Sequence, residues 1–468
     1  MKAEDAALLP ASEILPLLIA GEVSSVELTH AYIDRAQRYS RLNAYVTVDE
    51  EGALRQAQAA DEELRHGEMG RALLGLPVAV KDQLDVAGLR TTAGSKLVDY
   101  IADEDSTAVA RLRQAGAVIL GKLNMSEFAL GGSITHPYGV PRNPWDESRQ
   151  PGQSSSGSGI AVATSLAAAA LGGDTAGSVR GPAAWCGVTG LRPTWGRVSR
   201  AGTWPLAWYF DTIGPLTRSV ADCALVFEAI AGHDPKDPST SGLPVRPFVP
   251  LDDLSSLKVG VVRESIEEGV SSDEVVEGLM RSLEILREAG ASVVDVSLPL
   301  FTHGGLICGG LSDAEAAYVH HHRLRERPRD FDFGSRRRLM SGSLISASEY
   351  VKLSRLRMLV RRDVMRLLAE VDLLITPTQA DVAAKLPDST GLTSKEAVMG
   401  QFFASRAHRA TFSLASVPAL SVPAGFAKNG LPLSMQIVGR PFEEHTVLQV
   451  GHAYQQRTDW HTRRPALE

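Results

Sequence analysis

The feature that most constrains this chain is a repeated alternation of amphipathic helices with short, apolar strands. Helices are predicted where apolar residues recur every three or four positions, and strands where four or five apolar residues follow one another. Ser25 is positioned to cap the first long helix. In the first third, these predicted helices are 26–39, 51–64 and 107–115, and these predicted strands are 76–80 and 117–120. Alternation of this kind predicts an α/β fold.

The same alternation returns after a long segment rich in glycine and serine. There the predicted strands are 258–262, 292–296, 371–375, 419–422 and 433–438, and the predicted helices include 273–289 and 444–458. No internal repeat or linker divides the sequence convincingly. We therefore expect a single domain over residues 1–468, with 255–370 as a helical elaboration of it.

Composition and charge exclude several classes of function. The formal net charge of −7 opposes nucleic-acid binding, which needs a basic surface. The three cysteines, Cys186, Cys223 and Cys308, form no disulfide framework and suit a reducing cytoplasm. The alanine-rich run 160–171 is too short to span a bilayer, so we expect no membrane partner.

No cofactor or metal ion is expected. The histidines at 320–322 are the best candidates for metal ligands, but consecutive residues on a helix point in different directions and cannot ligate one ion together. An exposed polar helix is the simpler interpretation of these three residues. Elsewhere no cysteine or histidine spacing resembles that of a zinc site.

Residues 131–214 are crowded with glycine, serine and proline, as expected of a functional segment rather than an idle loop. Within it, residues 152–159 lead into a helix predicted to begin at Ile160. A phosphate-binding loop would need lysine where Ile160 stands, and the Gly-x-Ser-x-Gly turn of α/β-hydrolases is missing here. Glycines before a helix can still gather N–H donors around an oxyanion.

A second turn rich in glycine and serine occupies residues 172–180. A helix spanning the interval between the two turns would separate Ser154 from Ser178, and only a chain that doubles back could bring them together. Residue chemistry alone gives these two candidate nucleophiles and no base, although a serine hydroxyl needs one. His136 is the nearest upstream histidine, but nothing specific ties it to Ser178.

Three segments, in this order, resemble the amidase signature family. They are GLPVAVKDQLDVAGLRTTAGS (residues 75–95), PGQSSSGSGIAVATSLAAAALGGDTAGSVRGPAAWCGVTGLRPTWGRVSRAG (151–202) and VPALSVPAGFAKNGLPLSMQIVGRPFEE (417–444). The resemblance spans nearly the whole chain. It implies a fold in which α-helices surround a large mixed β-sheet, and an enzyme that hydrolyses carboxylic amides.

The resemblance also assigns roles to residues and supplies the missing base. It implies that Lys81 is a neutral base, that Ser154 relays the proton, and that Ser178 is the nucleophile that becomes acylated. An isolated lysine after a strand is usually a surface residue, and a serine after glycine usually a cap, but the three segments together favour catalysis. The oxyanion donors implied are the N–H groups of Thr175, Ala176, Gly177 and Ser178, and the supporting residues are Ser155, Asp174 and Arg180.

The sequence departs from the family pattern at two positions. Gln153 stands where the family has glycine before the serine that Ser154 matches, and the peptide bond between those two residues is cis in the family. Ala176 stands where the family has glycine in the nucleophile turn. If position 176 needs a positive φ, alanine there is strained. Neither departure removes a catalytic atom, so we expect activity.

The substrate is the least constrained part of the prediction. An aromatic cluster follows the signature segment, and together with two upstream glycines it is predicted to line an apolar pocket. The pocket residues are Gly131, Gly132, Trp204, Trp208 and Tyr209. They predict a small amide with an apolar or aryl acyl group, although such rings equally often belong to the core.

Two other functions remain open from the sequence. One is the glutamine-hydrolysing amidase subunit of a tRNA-dependent amidotransferase. That subunit carries a Ser-Asn-Leu-Ala-Arg-Tyr-Asp-Gly block, and residues 315–322 here lack it, which favours a stand-alone enzyme. The other is a non-catalytic homologue, which the presence of Lys81, Ser154 and Ser178 opposes. The sequence also leaves a homodimer open.

Overall fold

A mixed sheet of eleven strands forms the centre of the computed structural model, which describes residues 1–67, 70–387 and 406–467. Thirteen strands are described in all: β1 (Tyr45–Val48), β2 (Pro77–Lys81), β3 (Arg90–Thr91), β4 (Tyr100–Ile101), β5 (Val118–Leu123), β6 (Ala169–Asp174), β7 (Thr189–Arg192), β8 (Thr212–Thr217), β9 (Lys258–Val262), β10 (Ser292–Val296), β11 (Leu373–Pro377), β12 (Ala419–Phe426) and β13 (Pro432–Val438). Their order in the sheet is β1-β5-β2-β6-β8-β7-β12-β13-β11-β9-β10, and β3 and β4 form a separate ribbon. The predicted α/β class is confirmed.

Helices pack around the sheet. Those described are α1 (Ala3–Ala6), α2 (Ala11–Ile19), α3 (Ser25–Arg38), α4 (Glu50–Arg65), α5 (Thr107–Gln114), α6 (Ser156–Ala163), α7 (Arg180–Cys186), α8 (Val220–Ile230), α9 (Asp273–Glu288), α10 (Gly304–Val319), α11 (His321–Glu326), α12 (Phe333–Ser343), α13 (Ala347–Glu370), α14 (Ala407–Ala415) and α15 (Glu444–Gln455). No helix in the described part of the chain is long and apolar enough to cross a membrane.

The cap of α3 lies one residue earlier than predicted. Ser24, rather than Ser25, accepts a hydrogen bond from the backbone N–H of Glu27, and the Glu27 side chain returns the bond to Ser24. This reciprocal capping box satisfies two N–H groups at the helix start. The hydroxyl of Ser25 is buried and donates instead to the carbonyl of Gly75, at 2.8 Å.

The segment between the two serine-containing turns doubles back, which is the arrangement that brings the two serines together. Helix α6 begins at Ser156, before the predicted Ile160, and ends at Ala163. After a short turn the chain continues as strand β6. Alanine-rich apolar sequence suits a buried strand as well as a helix, because both faces of β6 are covered.

Parallel pairing brings the ends of two central strands to one edge of the sheet. Strand β2 pairs in parallel with β6, with Val78 opposite Ala169 and Val80 opposite Leu171. Lys81 ends β2 and Asp174 ends β6, and both are fully buried or nearly so. Ligand sites in α/β sheets form at this carboxyl edge.

Residues 255–370 contribute strands as well as helices. Strands β9 and β10 lie at one end of the same sheet, where β9 pairs in parallel with both β11 and β10. Helices α10, α12 and α13 follow; α10 and α13 pack with α14, and α12 packs against α10. The segment therefore continues the central sheet in addition to the helices expected of it.

His320 departs from the prediction of an exposed polar helix. Its ring is fully buried, between α10 and α11, with its centroid 4.0 Å from that of Phe128. His321 and His322 are exposed, as predicted. Among the described residues, no group of histidine, cysteine and acidic side chains could hold a metal ion.

The start of α6 gives a test of the packing beneath the site. A Cβ on Gly157 would collide with the carbonyl oxygen of Ala44 and lie 2.6 Å from the backbone nitrogen of Asn124. Backbone cannot move as a flexible side chain can, so we expect Gly157→Ala to lower the free energy of unfolding by about 1–3 kcal/mol. A thermal melt measures the change.

Gly242→Ala is the matched control, because a Cβ at Gly242 meets no atom within 4 Å. We expect the free energy of unfolding of this variant to lie within about 0.5 kcal/mol of that of the unmodified protein. Equal melting temperatures for the two variants would contradict the close approach of α6 to the end of β5.

Candidate active site

Lys81 is a fully buried lysine at the end of β2. Its Nζ donates to the Oγ of Ser154 at 2.8 Å and lies 3.5 Å from the carbonyl oxygen of Gly173. Burial lowers the pKa of Lys81 to about 7, although the charges of Asp174 and Asp211 partly oppose this. A large fraction of Lys81 is therefore neutral near pH 7 and able to accept a proton.

The neighbouring carboxylate is paired with another cation. Asp82 forms a buried ion pair with Lys122, at 3.2 Å, and accepts a hydrogen bond from the backbone N–H of Thr92, at 3.1 Å. The ammonium of Lys122 also donates to the hydroxyl of Thr91, at 2.8 Å. Of the two buried lysines in the described part of the chain, Lys122 thus has a carboxylate partner, whereas Lys81 faces a hydroxyl.

Ser154 and Ser155 connect the two turns. The peptide bond between Gln153 and Ser154 is cis, as the resemblance implies. The backbone N–H of Ser155 donates to the carbonyl of Ser178 at 3.3 Å, and its hydroxyl bonds with the backbone of Gly173, at 3.2 Å. The loop that carries Ser154 is thereby fixed to the turn that carries Ser178.

Asp174 organises the turn around Ser178. Its carboxylate accepts from the backbone N–H groups of Gly177, at 2.9 Å, and Val179, at 3.2 Å. Arg180 and Arg192 pair with the same carboxylate at 3.0 and 2.9 Å. Burial alone would raise the pKa of Asp174, but these two cations outweigh it and hold the pKa well below its ordinary value. The turn is thus built around a permanently ionised carboxylate.

Four backbone N–H groups of this turn are predicted to bind an oxyanion, and in the structure one of the four already has a hydrogen-bond acceptor. That of Gly177 is engaged by Asp174. Those of Thr175, Ala176 and Ser178 donate to no described residue. Ser178 itself is half-buried and so accessible from one side. Three N–H groups are therefore available beside the candidate nucleophile.

The two departures from the family pattern are accommodated differently. Gly177 has a φ of +109°, whereas Ala176 is not among the described residues with positive φ, so the strain considered for alanine does not arise. The side-chain oxygen of Gln153 accepts a hydrogen bond from the backbone N–H of Gly132. Gln153 therefore connects the cis serine loop to the two glycines predicted to line the pocket, Gly131 and Gly132.

The aromatic segment is attached to the site through its backbone. The N–H of Trp204 donates to the carbonyl of Gln83, two residues after Lys81, at 2.8 Å. The indole of Trp204 lies 5.8 Å from the ring of Phe128. Trp208 and Tyr209 are 55% and 47% exposed, so these two rings are not core residues.

Several residues in the site were not predicted from the sequence. Asp211 accepts from the hydroxyl of Thr175 at 2.6 Å and from the backbone of Leu206 at 2.8 Å, joining the turn to the aromatic segment. Arg192, Gln379 and Arg409 also contact the Ser178 turn or the helix after it. The sequence around these two arginines does not distinguish them from arginines exposed to solvent, because their contacts are with residues far away in the chain.

Comparison with known proteins agrees with this geometry. A glutamyl-tRNA(Gln) amidotransferase subunit of Roseiflexus castenholzii is 41% identical over 96% of this chain and 96% of its own length. A solved structure described with a vestigial protein complex and the origins of an s-triazine catabolic enzyme superposes with a TM-score of 0.90 at 32% identity, covering 98% of this chain and 100% of the other. The peptide amidase of Stenotrophomonas maltophilia superposes with a TM-score of 0.81 at 30% identity, covering 97% and 98%.

A family model described as amidase matches residues 27–448, nearly the whole chain. The resemblance found in the three sequence segments is therefore confirmed. This chain belongs to the amidase family and is an amide-hydrolysing enzyme.

Proposed function

We propose that the protein hydrolyses a small carboxylic amide through an acyl-enzyme formed on Ser178. The observation that carries the proposal is the 2.8 Å hydrogen bond between Lys81 Nζ and Ser154 Oγ, made by a buried lysine that has no described carboxylate partner. Desolvation lowers the pKa of this lysine to about 7, so a substantial fraction is neutral at neutral pH, as a general base must be.

In the first half-reaction, Ser178 Oγ attacks the amide carbonyl carbon. Its proton passes to Ser154 Oγ as the proton of Ser154 passes to Lys81 Nζ, so one C–O bond forms and the carbonyl oxygen becomes an oxyanion. The free N–H groups of Thr175, Ala176 and Ser178 stabilise that charge. The rigid turn around Asp174 holds these donors in place before the substrate arrives.

To complete this half-reaction, the oxyanion collapses and the C–N bond breaks. The proton on Lys81 returns through Ser154 to the leaving nitrogen, which departs as ammonia or an amine. Water then attacks the Ser178 ester and gives a proton through Ser154 to Lys81. The C–O bond to Ser178 Oγ breaks, the acid product leaves, and the proton returns through Ser154 to Ser178. Each residue ends in its starting protonation state, so no cofactor or metal ion enters the cycle.

For the substrate, we propose a small amide with an apolar or aryl acyl group, cleaved by a stand-alone enzyme. Trp204 supports this because its backbone is hydrogen-bonded to the strand-end segment, and the exposed rings of Trp208 and Tyr209 follow it in the chain and can cover an acyl group. Burial of the acyl group contributes about 25 cal/mol of favourable free energy per Å² of apolar surface removed from water.

A second candidate function is glutamine hydrolysis as the amidase subunit of a tRNA-dependent amidotransferase. Relatives 39–41% identical over nearly their full length are named as subunits of such an enzyme, and this is the strongest support for the alternative. The missing Ser-Asn-Leu-Ala-Arg-Tyr-Asp-Gly block argues against it. Rates of the purified chain on benzamide, acetamide and L-glutamine decide between them: glutamine as the best substrate would select the amidotransferase role.

The nucleophile is tested by Ser178→Ala. We expect kcat/KM to fall by at least about 10³-fold, because no acyl-enzyme can form. Ser178 is half-buried and its hydroxyl is not part of the hydrophobic core, so the melting temperature should stay unchanged. A fluorophosphonate should label the unmodified protein at Ser178 alone. Label found on any other residue would contradict the assignment.

The base is tested by the pH dependence of kcat/KM. Lys81 must be neutral to accept a proton, and its pKa is about 7. We therefore expect kcat/KM to fall about tenfold per pH unit below pH 7 and to reach a plateau above it. A profile flat between pH 5 and pH 8 would exclude Lys81 as the base.

The two buried lysines form a matched pair of variants. Lys81→Met should abolish activity while preserving stability, because it removes a buried cation that has no described carboxylate partner. Lys122→Met should lower the free energy of unfolding by about 3–5 kcal/mol, because it leaves Asp82 buried without its cation. Thermal melts and turnover measured together separate the two roles. The reverse pattern would exclude this division between Lys81 and Lys122.

A further inference from the structure

Arg409 lies directly against the Ser178 turn. It sits near the start of α14, and a Cβ on Gly177 would collide with Arg409 Cβ and lie 2.6 Å from its Nε. A Cβ on Gly181 would lie 3.2 Å from Arg409 Nη1. The two glycines therefore leave the room that the guanidinium occupies. The carbonyl oxygen of Arg409 accepts from Arg180 at 3.0 Å, which fixes this part of the helix to the turn.

The guanidinium of Arg409 has no counter-charge among the described residues. Its Nε and Nη1 are buried and donate to no described acceptor, and no described carboxylate pairs with it. Asp174 acts on it electrostatically but is already paired with Arg180 and Arg192. A cation removed from water without a partner is costly to the folded protein. The residue as a whole is partly exposed.

Further donors surround the same space. The Nε2 of the buried Gln379 is 3.3 Å from the position a Cβ would take on Gly181, beside Arg409 Nη1. One helical turn before Arg409, the Nη2 of Arg406 is 3.5 Å from the corresponding position on Gly131. Residues three apart share a helix face, so both arginines face the glycines that flank the candidate nucleophile and pocket.

We propose that the acyl group of the substrate ends in a carboxylate, which Arg409 binds with Gln379 beside it. The substrate class is then the monoamides of dicarboxylic acids, in which an apolar spacer separates the amide from the charge. This inference rests on the amide hydrolysis proposed above and narrows its substrate. Glutamine fits less well, because its ammonium would enter a region that already holds Arg406 and Arg409.

The first test needs only the unmodified enzyme. Glutaramate and succinamate are compared with 5-oxohexanamide and 4-oxopentanamide, in which a methyl group replaces one carboxylate oxygen. We expect kcat/KM to favour the carboxylates by about 10–100-fold, the range for a charge-assisted hydrogen-bonded pair. Glutarate should inhibit hydrolysis of the neutral amides competitively, whereas 2,6-heptanedione, its neutral counterpart, should not.

The second test uses Arg409→Met, which keeps the side chain's bulk and removes its charge. We expect the ratio of kcat/KM for glutaramate to that for 5-oxohexanamide to fall to about one, with Arg409→Lys intermediate. Arg366→Met is the matched control: it removes an exposed arginine of α13 that pairs with Glu370, and should leave the ratio unchanged. If Arg409→Met does not fold, inhibition by glutarate in the unmodified enzyme still decides.

The outcomes separate the two proposals. Hydrolysis of the neutral amides with no preference for the carboxylates, and no inhibition by glutarate, would overturn the carboxylate site and leave the amidase proposal standing. No hydrolysis of any amide, with no labelling of Ser178 by a fluorophosphonate, would overturn the amidase proposal itself. A faster reaction with L-glutamine than with glutaramate would exclude monoamides that lack an α-ammonium group as the preferred substrates.

Discussion

The site depends on one constraint: a lysine is buried where no described carboxylate neutralises it. Lys81 Nζ has a hydroxyl and, at longer range, a carbonyl oxygen as its hydrogen-bond acceptors. Asp82 is held by Lys122, and Asp174 by Arg180 and Arg192. Had either carboxylate formed an ion pair with Lys81, the pKa of Lys81 would rise and its ammonium would persist at neutral pH. The surrounding ion pairs engage these carboxylates instead, so desolvation dominates at Lys81 and lowers its pKa.

The fold meets this constraint through the pairing of two strands. Because β2 and β6 run in parallel, Lys81 and Asp174 end at the same edge of the sheet. The short α6 lets the chain return so that the loop before it and the turn after β6 lie together, joined by the bond from Ser155 to Ser178. A longer helix in place of α6 and β6 would have carried Ser178 away from Ser154.

Sequence reasoning located the elements whose signal is local. The apolar run ending at Lys81 and most helix positions follow from periodicity, and the family motifs pointed to both serines. The errors arose where tertiary contacts decide. The alanine-rich run after Ile160 becomes partly strand because it is covered on both faces, and His320 is buried because Phe128 packs against it. The sequence could not identify Arg409 as a candidate binding residue. What distinguishes it is that no described carboxylate pairs with it, and only the folded structure shows this.

The nucleophile turn explains why one departure from the family pattern is tolerated. The left-handed position of this turn is Gly177, and a Cβ there would collide with Arg409 as well as strain the backbone. Both the backbone conformation and the packing against Arg409 therefore require glycine at position 177. At 176 the backbone has no positive φ, and alanine places its methyl group against an apolar cluster. The turn can accept a side chain at one position and not at the next because Asp174 fixes its geometry through the N–H groups of Gly177 and Val179.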